Sequence, residues 1–537
     1  MRRSLALAAA VVTAAAGAVI GIGRPAGAGI PDDPLTGVLP TPPLTVGYLD
    51  FCDQTQADTV SQVDRAVALG LKDAGWKYIG IDDCWTTKTR DAGGDLVTDP
   101  VKYPRGMKWL ADYVHGKGMK LASYLDGGTS TCQGYPGSRG HWQQDMNLLA
   151  SYGIDYVKID YCAGYSDPAQ VRGDYQGAYT AMLNSGRRMA ISISAPAYAG
   201  AGSSAFNAEM SWVGGLGNTW RVGGDVAADF SSWLYEYNVT RNLAGYAGPG
   251  RFNDPDRLII TEGKSAKTTP VEWRSQMSVW AATAAPMYVG GDLRDSLPQT
   301  DGEIDTLKNT DVLAVDQDPL AGQGRVVSTQ GDVDVISKPL ANGDRALVFF
   351  NKGTATASAS VSSTTAGFPA GGTYTVKDLW SKNTSTSGGT FSSGAIPGHG
   401  AVMWRVTPQQ NVRAGGTELT GLESGRCLDD PGSATANGTR LVIYDCDGGL
   451  NQTWTVTPAG PVTLRLAGVT KCLDTDGSHA VMNDCNGSAG QNWTWNRNST
   501  LAANGNCLDV GDHKTTNLSA ALVWSCNAGL NQRWSRE

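Results

Sequence analysis

Between about residues 44 and 300, short apolar runs rich in β-branched and aromatic residues alternate with longer amphipathic stretches. The runs predict strands at 45–51, 78–82, 120–125, 156–160, 189–194, 209–213, 258–261 and 286–289. Stretches such as 57–74 and 169–184 read as helices. Eight strand-then-helix units in about 260 residues predict a (β/α)8 TIM barrel, with functional groups at the carboxyl ends of the strands. Asp50, Asp82, Asp83, Asp126, Asp160 and Ser194 fall there. The alternative is an open, doubly wound sheet, but no dinucleotide glycine fingerprint opens the chain. From about 322 to 408 the period shortens to strand-like alternation at 346–350, 374–376 and 401–406, with Gly, Ser and Thr in the turns. That predicts a small antiparallel β domain. From about 412 onward the sequence repeats three times.

The net charge of −8, with few Lys/Arg clusters, argues against a nucleic-acid partner. Arg2 and Arg3, the apolar run from Leu5 to Ile22 and the Ala26-Gly27-Ala28 site predict a secretory signal cleaved after Ala28. A membrane anchor is the alternative reading of that run. No later stretch is apolar over a bilayer's length, so no membrane partner is expected. Export permits disulfides, and the ten cysteines suffice for five bridges. The chain thus divides into a signal (1–28), a barrel (29–320), an antiparallel β domain (321–410) and the repeat segment (411–537).

The run Tyr156-Val157-Lys158-Ile159-Asp160-Tyr161-Cys162 places a cation and a carboxylate two residues apart in an apolar strand. Alternation puts Lys158 and Asp160 on one side. A cation beside a carboxylate favours its charged form. Such a pair is either a structural ion pair or a nucleophile with its partner.

In the repeat segment, Cys427-Leu428-Asp429, Cys472-Leu473-Asp474 and Cys507-Leu508-Asp509 open the units. Gln452-Thr453-Trp454, Gln491-Asn492-Trp493 and Gln532-Arg533-Trp534 close them, and Cys446, Cys485 and Cys526 lie between. The segment resembles the ricin-B-type β-trefoil, a carbohydrate-binding module. The resemblance implies that the three tryptophans are core. It also implies that each unit's Asp, with an aromatic two residues before its second cysteine, binds sugar. Asp429 with Tyr444 and Asp509 with Trp524 fit that pattern, whereas Asn483 holds the aromatic place in the middle unit. The alternative is a purely structural trefoil.

Adjacent carboxylates in Ile81-Asp82-Asp83-Cys84-Trp85 repel and need hydroxyls, cations or a metal to satisfy them. A Ca²⁺ or Mg²⁺ site is the lesser alternative, because no third acid stands at metal-loop spacing. No metal and no cofactor is therefore expected. Further motifs are the loop Thr131-Cys132-Gln133-Gly134-Tyr135-Pro136-Gly137-Ser138, the run Ala247-Gly248-Pro249-Gly250-Arg251-Phe252-Asn253-Asp254-Pro255-Asp256, and Ala314-Val315-Asp316-Gln317-Asp318-Pro319-Leu320. Together with the strand around Asp160, this ordered set spans about 240 residues. It resembles glycoside hydrolase family 27, the α-galactosidases and α-N-acetylgalactosaminidases.

The resemblance implies a retaining double displacement with two carboxyl groups about 5 Å apart. The nucleophile falls on Asp160. The acid/base falls on Asp225 in Trp220-Arg221-Val222-Gly223-Gly224-Asp225, with a pKa raised by the charge of Asp160. Asp229 is the nearby alternative, expected one turn into a helix. Asp82 and Asp83 are matched to the 4- and 6-hydroxyls of a galacto-configured ring, Lys158 to the 3- and 4-hydroxyls, and Arg221 to the side of the 2-position. Tyr124, Cys132 and Asp256 complete the pocket, and Cys52–Cys84 and Cys132–Cys162 form disulfides by the same matching. Three positions depart from the family pattern. Tyr48 is the nearest aromatic where the family carries tryptophans, Arg257 follows Asp256 in place of methionine, and Phe252 replaces a tryptophan.

After the fifth strand the chain reads Ser194-Ala195-Pro196-Ala197-Tyr198. Within the family, such small residues leave room for a 2-acetamido group, with Ser194 bonding it and Ala197 and Tyr198 packing on its methyl. A loop that has drifted for packing reasons is the alternative. The expected activity is exo-hydrolysis of terminal α-linked galactosyl-type residues on an oligo-, polysaccharide or glycoconjugate. The alternatives are a β-L-arabinopyranosidase, or a lectin-like protein with an inactive barrel. Because catalytic and binding motifs lie in separate segments, deletion from about 412 onward is expected to spare small-substrate hydrolysis.

Overall fold

The structure is a computed structural model that describes residues 37–48, 52–165, 167–260, 268–293, 301–368, 372–409, 416–457, 459–496, 499–527 and 529–536. The predicted signal, Asp50 and the side chain of Tyr48 lie outside the described residues. Strands β1 (Leu44–Tyr48), β2 (Tyr78–Gly80), β3 (Lys120–Asp126), β4 (Tyr156–Asp160), β5 (Ala190–Ile193), β6 (Thr219–Arg221), β7 (Phe252–Asp254) and β8 (Met287–Tyr288) form one parallel sheet. Neighbours follow chain order from β7 down to β1, and β1 pairs with β8. A parallel bridge from Leu258 to Val289 links the two ends, closing the barrel.

Two predicted strands are corrected. Residues 204–210 form a helix, Ser204–Met210, because the Ser203 hydroxyl accepts from the Phe206 N–H and caps it. Its short apolar run fits either period, and the sixth strand lies further on at Thr219–Arg221, buried on all three residues. The seventh strand is Phe252–Asp254, and Leu258 of the predicted 258–261 run bridges to Val289. The predicted helix over 57–74 is two pieces, Gln56–Ala68 and Leu71–Ala74, parted by Gly70 at φ 76°. The first piece starts with a capping box, Thr55 and Asp58 each satisfying the other's backbone. The helix Pro168–Asn184 starts from the Asp167 cap with proline at its first position.

The second domain has a six-stranded antiparallel sheet, including Val333–Pro339, Arg345–Asn351, Tyr374–Asp378 and Ala401–Pro408, and a separate two-stranded ribbon. One face of the sheet shares the barrel's core through Ile336, Ala346, Val348, Phe350 and Met403. The other face packs a core of its own, with Val335, Leu347, Phe349 and Phe391. At the seam with the barrel, the fully buried Lys338 donates to Ala281 O (2.9 Å) and Val315 O (2.7 Å), near the ends of two barrel helices.

The repeat segment folds around a third core, in which Trp454, Trp493 and Trp534 are fully buried. Their indole N–H groups donate to Leu428 O, Leu473 O and Leu508 O, the same position in each unit. It docks on both other domains. Buried Arg345 and Glu418 pair at 2.9 Å, and Arg325 donates to Ser535 Oγ at 2.8 Å. Gly245 of the barrel lies so close to Leu422 that a Cβ there would stand 1.9 Å from Leu422 Cδ1, so no side chain fits. All ten cysteines pair, as Cys52–Cys84, Cys132–Cys162, Cys427–Cys446, Cys472–Cys485 and Cys507–Cys526.

Candidate active site

Strand β4 delivers Lys158 and Asp160 at its carboxyl end, in register with Tyr124 and Asp126 on β3. The Lys158 ammonium lies 3.0 Å from Asp82 Oδ2, 3.4 Å from Asp160 Oδ2 and 5.3 Å from the centre of the Tyr124 ring. One cation thus balances two carboxylates brought from different strands. Burial pushes the Asp82 carboxyl up, against the pull of Lys158. Its neighbour turns away: Asp83 Oδ1 accepts from Cys84 N (2.6 Å) and Oδ2 from Gln133 N (3.0 Å). Adjacency of the two acids is therefore relieved by giving one to Lys158 and the other to backbone amides.

The Cys132–Cys162 disulfide crosses from the loop after β3 to the end of β4. The Tyr124 hydroxyl is 3.6 Å from Cys132 Sγ, and the Tyr198 hydroxyl is 3.0 Å from Cys162 Sγ. Tyr198 is 40% exposed and stacks on Tyr165, with ring centres 6.0 Å apart. Ala197 is half-buried. Ser194 departs from expectation. It is 2% exposed, and its Oγ is sealed from solvent without a hydrogen-bond partner. Its N–H donates to Ile159 O (3.2 Å) and to the Tyr175 hydroxyl (3.3 Å), which ties its backbone to the strand end.

The groups after β6 and β7 form a second cluster. Arg221 Nη2 reaches Asp225 Oδ1 and Arg221 Nη1 reaches Asp256 Oδ1, both at 3.1 Å. Arg221 also donates to the carbonyls of Gly223 and Gly224, bending the chain so that Asp225 projects into solvent, 81% exposed. Asp256 has φ 70° and accepts from Val226 N (2.7 Å), so a strained residue anchors the same loop. Arg257 donates to Val226 O (2.9 Å) and Gly290 O (3.3 Å), bracing that loop. Phe252 is wholly buried.

The Asp225 carboxyl is not raised, as the sequence suggested, but lowered. Its partial desolvation acts upward, but the charges of Arg221, Lys158 and Arg257 and the bond from Arg221 outweigh it. Asp160, expected to push it up, has its own charge balanced by Lys158. Asp229 is not inside a helix. It caps the helix Phe230–Thr240, accepting from Ser232 N at 2.9 Å.

In the trefoil, Asp429 Oδ2 accepts from Asn451 and Gln452, both at 2.8 Å, and Asp509 Oδ2 accepts from Asn531 (3.0 Å) and Gln532 (2.9 Å). Tyr444 and Trp524 pair across the strands with Cys427 and Cys507, two residues before those aspartates, and are 37% and 62% exposed. The middle unit differs twice. Asn483 itself donates to Asp474 Oδ2 at 3.0 Å, and Gly490 stands where the other units have asparagine.

Residues 52–318 match the family described as alpha galactosidase A, residues 330–406 its C-terminal beta sandwich domain, and residues 415–534 the ricin-type beta-trefoil lectin domain. Alpha-galactosidase A of Aspergillus niger is 34% identical over 463 residues, covering 82% of each chain. The chain belongs to the α-galactosidase family. It is a glycosidase of glycoside hydrolase family 27. The alpha-N-acetylgalactosaminidase of Gallus gallus is 36% identical over 70% of this chain and 95% of that one. Among solved structures, alpha-galactosidase I from Mortierella vinacea superposes with a TM-score of 0.64 at 25% identity, over 69% of this chain and 98% of that one.

Beside the residues expected for an α-galactosidase-family pocket stand Asp126, expected at a strand end but given no role, and two glutamates that the sequence did not single out. Asp126 is buried under the strand end and accepts from Gly128 N (2.7 Å) and Cys162 N (3.0 Å), while burial, opposed by those two bonds, pushes its carboxyl up to about 7. Glu236 packs beneath Gly223, and burial pushes it up to about 8 against the charge of Arg221. Glu209 accepts from the Tyr165 hydroxyl behind Tyr198, and burial raises it to about 7. Asp126 had a signal, its place at a strand end. Glu209 and Glu236 sit on helices with ordinary polar spacing, and nothing in the sequence marks them as buried.

Proposed function

We propose that this glycosidase removes terminal α-linked galactosyl-type residues from oligo- or polysaccharides or glycoconjugates outside the cell, with retention of configuration. The observation that carries the reading is the cation Lys158 between Asp82 and Asp160, whose charge also reaches Asp225 of the Arg221–Asp225–Asp256 cluster. The first group offers a carboxylate held beside hydroxyl-binding partners. The second offers a solvent-facing carboxyl at the mouth.

Asp160 attacks the anomeric carbon as Asp225 gives its proton to the departing oxygen. Asp225 then takes a proton from the water that cleaves the glycosyl ester. A bound sugar strips water from the exposed Asp225 and pushes its carboxyl up toward the acid form. Once Asp160 is esterified, a negative charge is lost nearby, and Asp225 moves back down toward the base form. Asp82 and Asp83 take the 4- and 6-hydroxyls, Asp83 through its remaining lone pairs. Lys158 takes the 3- and 4-hydroxyls and Arg221 the side of the 2-position. Tyr124, Cys132 and Tyr198 wall the pocket.

Ala197 and Tyr198 leave room for a 2-acetamido group without any direct bond from Ser194. A panel of nitrophenyl α-galactoside, α-N-acetylgalactosaminide and β-L-arabinopyranoside tests the reading. The acetamido sugar should give the highest kcat/KM, with galactose slower. Ala197→Leu should fill that space and lower the acetamido-to-galactose ratio by about 10²-fold, roughly 2.7 kcal/mol of transition-state binding. Cleavage of none of the three by the wild type would sink the proposal. A ratio untouched by Ala197→Leu would remove Ala197 from the 2-position.

The trefoil holds substrate through Asp429 with Tyr444 and Asp509 with Trp524. Loss of one aromatic platform costs about 1 kcal/mol or more. Trp524→Ala should therefore weaken retention on insoluble galactan about tenfold. Asn483→Ala should leave retention as it was, since the middle unit has no aromatic platform to lose. Equal losses from the two variants would overturn that assignment.

A further inference from the structure

One contact ties the trefoil to the barrel beside the pocket wall. Arg533, the middle residue of the last Gln-Arg-Trp element, is 4% exposed and donates from Nη2 to Ser211 O at 3.1 Å. Its guanidinium lies 5.7 Å from the centre of the Tyr246 ring. Met210, Ser211, Tyr246, Ser499 and Arg533 line a narrow cleft at this seam. Ser211 is the residue that ends the short helix Ser204–Met210. Two chains of contact leave that helix end. Two residues back, Glu209 accepts from the Tyr165 hydroxyl, and Tyr165 stacks on Tyr198, whose own hydroxyl is 3.0 Å from Cys162 Sγ. One residue on, Trp212 packs against Tyr175 with ring centres 5.8 Å apart. The Tyr175 hydroxyl donates to Ile159 O at 2.8 Å and accepts from Ser194 N. Ile159 precedes Asp160, and Ser194 heads the Ala197–Tyr198 segment.

We propose that Arg533 is a positioning residue for the substrate pocket: docked through it, the trefoil holds the end of the helix Ser204–Met210, and with it the Tyr198 wall and the strand end that carries Asp160. The trefoil then acts on soluble monosaccharide glycosides as well as on polymers. This is the opposite of what two independent modules would do. The helix is only seven residues long, too short to be stable by itself, so an outside strut at its far end has a mechanical job to perform. The coupling runs through contiguous packed groups, and both branches start within two residues of the strut. The inference rests on the proposed hydrolysis.

The test uses the full-length chain and nitrophenyl glycosides, whose small aglycone gives the trefoil sites nothing to hold. Arg533→Met keeps the length and apolar stem but removes the guanidinium. It should raise KM about 3- to 10-fold while kcat stays within about twofold, because the wall that orients the sugar loosens and the carboxylates remain. Tyr165→Phe, which cuts the first branch, should raise KM as well. The double variant should be no worse than the worse single, the signature of a shared path. Retention of Arg533→Met on galactan checks that the trefoil still folds. A wild-type KM in a galactan-binding Arg533→Met protein overturns the proposal, and so do single effects that multiply. If the wild type cleaves no glycoside of the panel, the hydrolysis itself fails and the positioning role falls with it. A wild type that is active, beside an unaltered Arg533→Met, condemns the positioning role alone.

Discussion

Asp160→Asn should fold as the wild type does and cleave nitrophenyl glycosides at least about 10⁴-fold more slowly. The amide keeps the shape of the carboxyl and an oxygen for Lys158, which retains Asp82 at 3.0 Å, so the strand end has no reason to rearrange. What is lost is the attacking lone pair of a carboxylate, and an amide oxygen is a poor nucleophile. The measurement is single-turnover and steady-state hydrolysis, beside a thermal melt. A residual rate of a tenth of the wild type in a folded protein would move the nucleophile to another carboxylate.

Asp225→Ala should cost about 10²- to 10⁴-fold, the usual scale for a positioned proton donor. The loss should depend on the leaving group, being large for an alkyl galactoside, whose departing oxygen needs a proton, and smaller for a nitrophenyl glycoside. Added azide should restore turnover of the nitrophenyl substrate, because it needs no base to attack the glycosyl ester. The pH profile supplies a second readout. An acid works only while protonated, so the wild type loses activity as pH rises through the Asp225 pKa in the bound complex. Asp225→Ala should lack that alkaline fall. The charges of Arg221, Lys158 and Arg257 set where it lies in the wild type. An equal loss on both leaving groups with the alkaline limb intact would pass the acid role to another group.

Much of this was legible in the sequence, for physical reasons that differ from place to place. Strand β4 was readable because its apolar residues flank Lys158 and Asp160 at strand period, and a charge in such a run announces itself. The trefoil was readable because three units must each supply the same core tryptophan. Strands β6 and β7 were misplaced because each is only three residues long, too short to show a period, and the apolar run around Met210 is better served by the Ser203 cap. The site's acids were found by their places at strand ends, but their electrostatics were not. Arg221 lies four residues before Asp225 in sequence, and its pull shows only once Gly223 and Gly224 fold the loop back onto it. Ser194 reads as a pocket residue from its neighbours in sequence, yet its hydroxyl is sealed from solvent. The docking of the trefoil left no trace, since Arg533 looks like any surface arginine until Ser211 is brought beneath it.

The core that runs unbroken from the barrel into Ile336, Val348, Phe350 and Met403 has a consequence for how the protein comes apart. Stripping the sheet away would bare that apolar face and leave the main-chain oxygens of Ala281 and Val315 without Lys338. Neither piece has a low-energy state alone, so barrel and sheet melt as one cooperative unit. The trefoil, with its own core and three internal disulfides, is a second unit. A cut near residue 321 therefore divides a single folding unit, whereas one near residue 411 separates two cores and gives up the Arg345–Glu418 pair and the Arg533 contact.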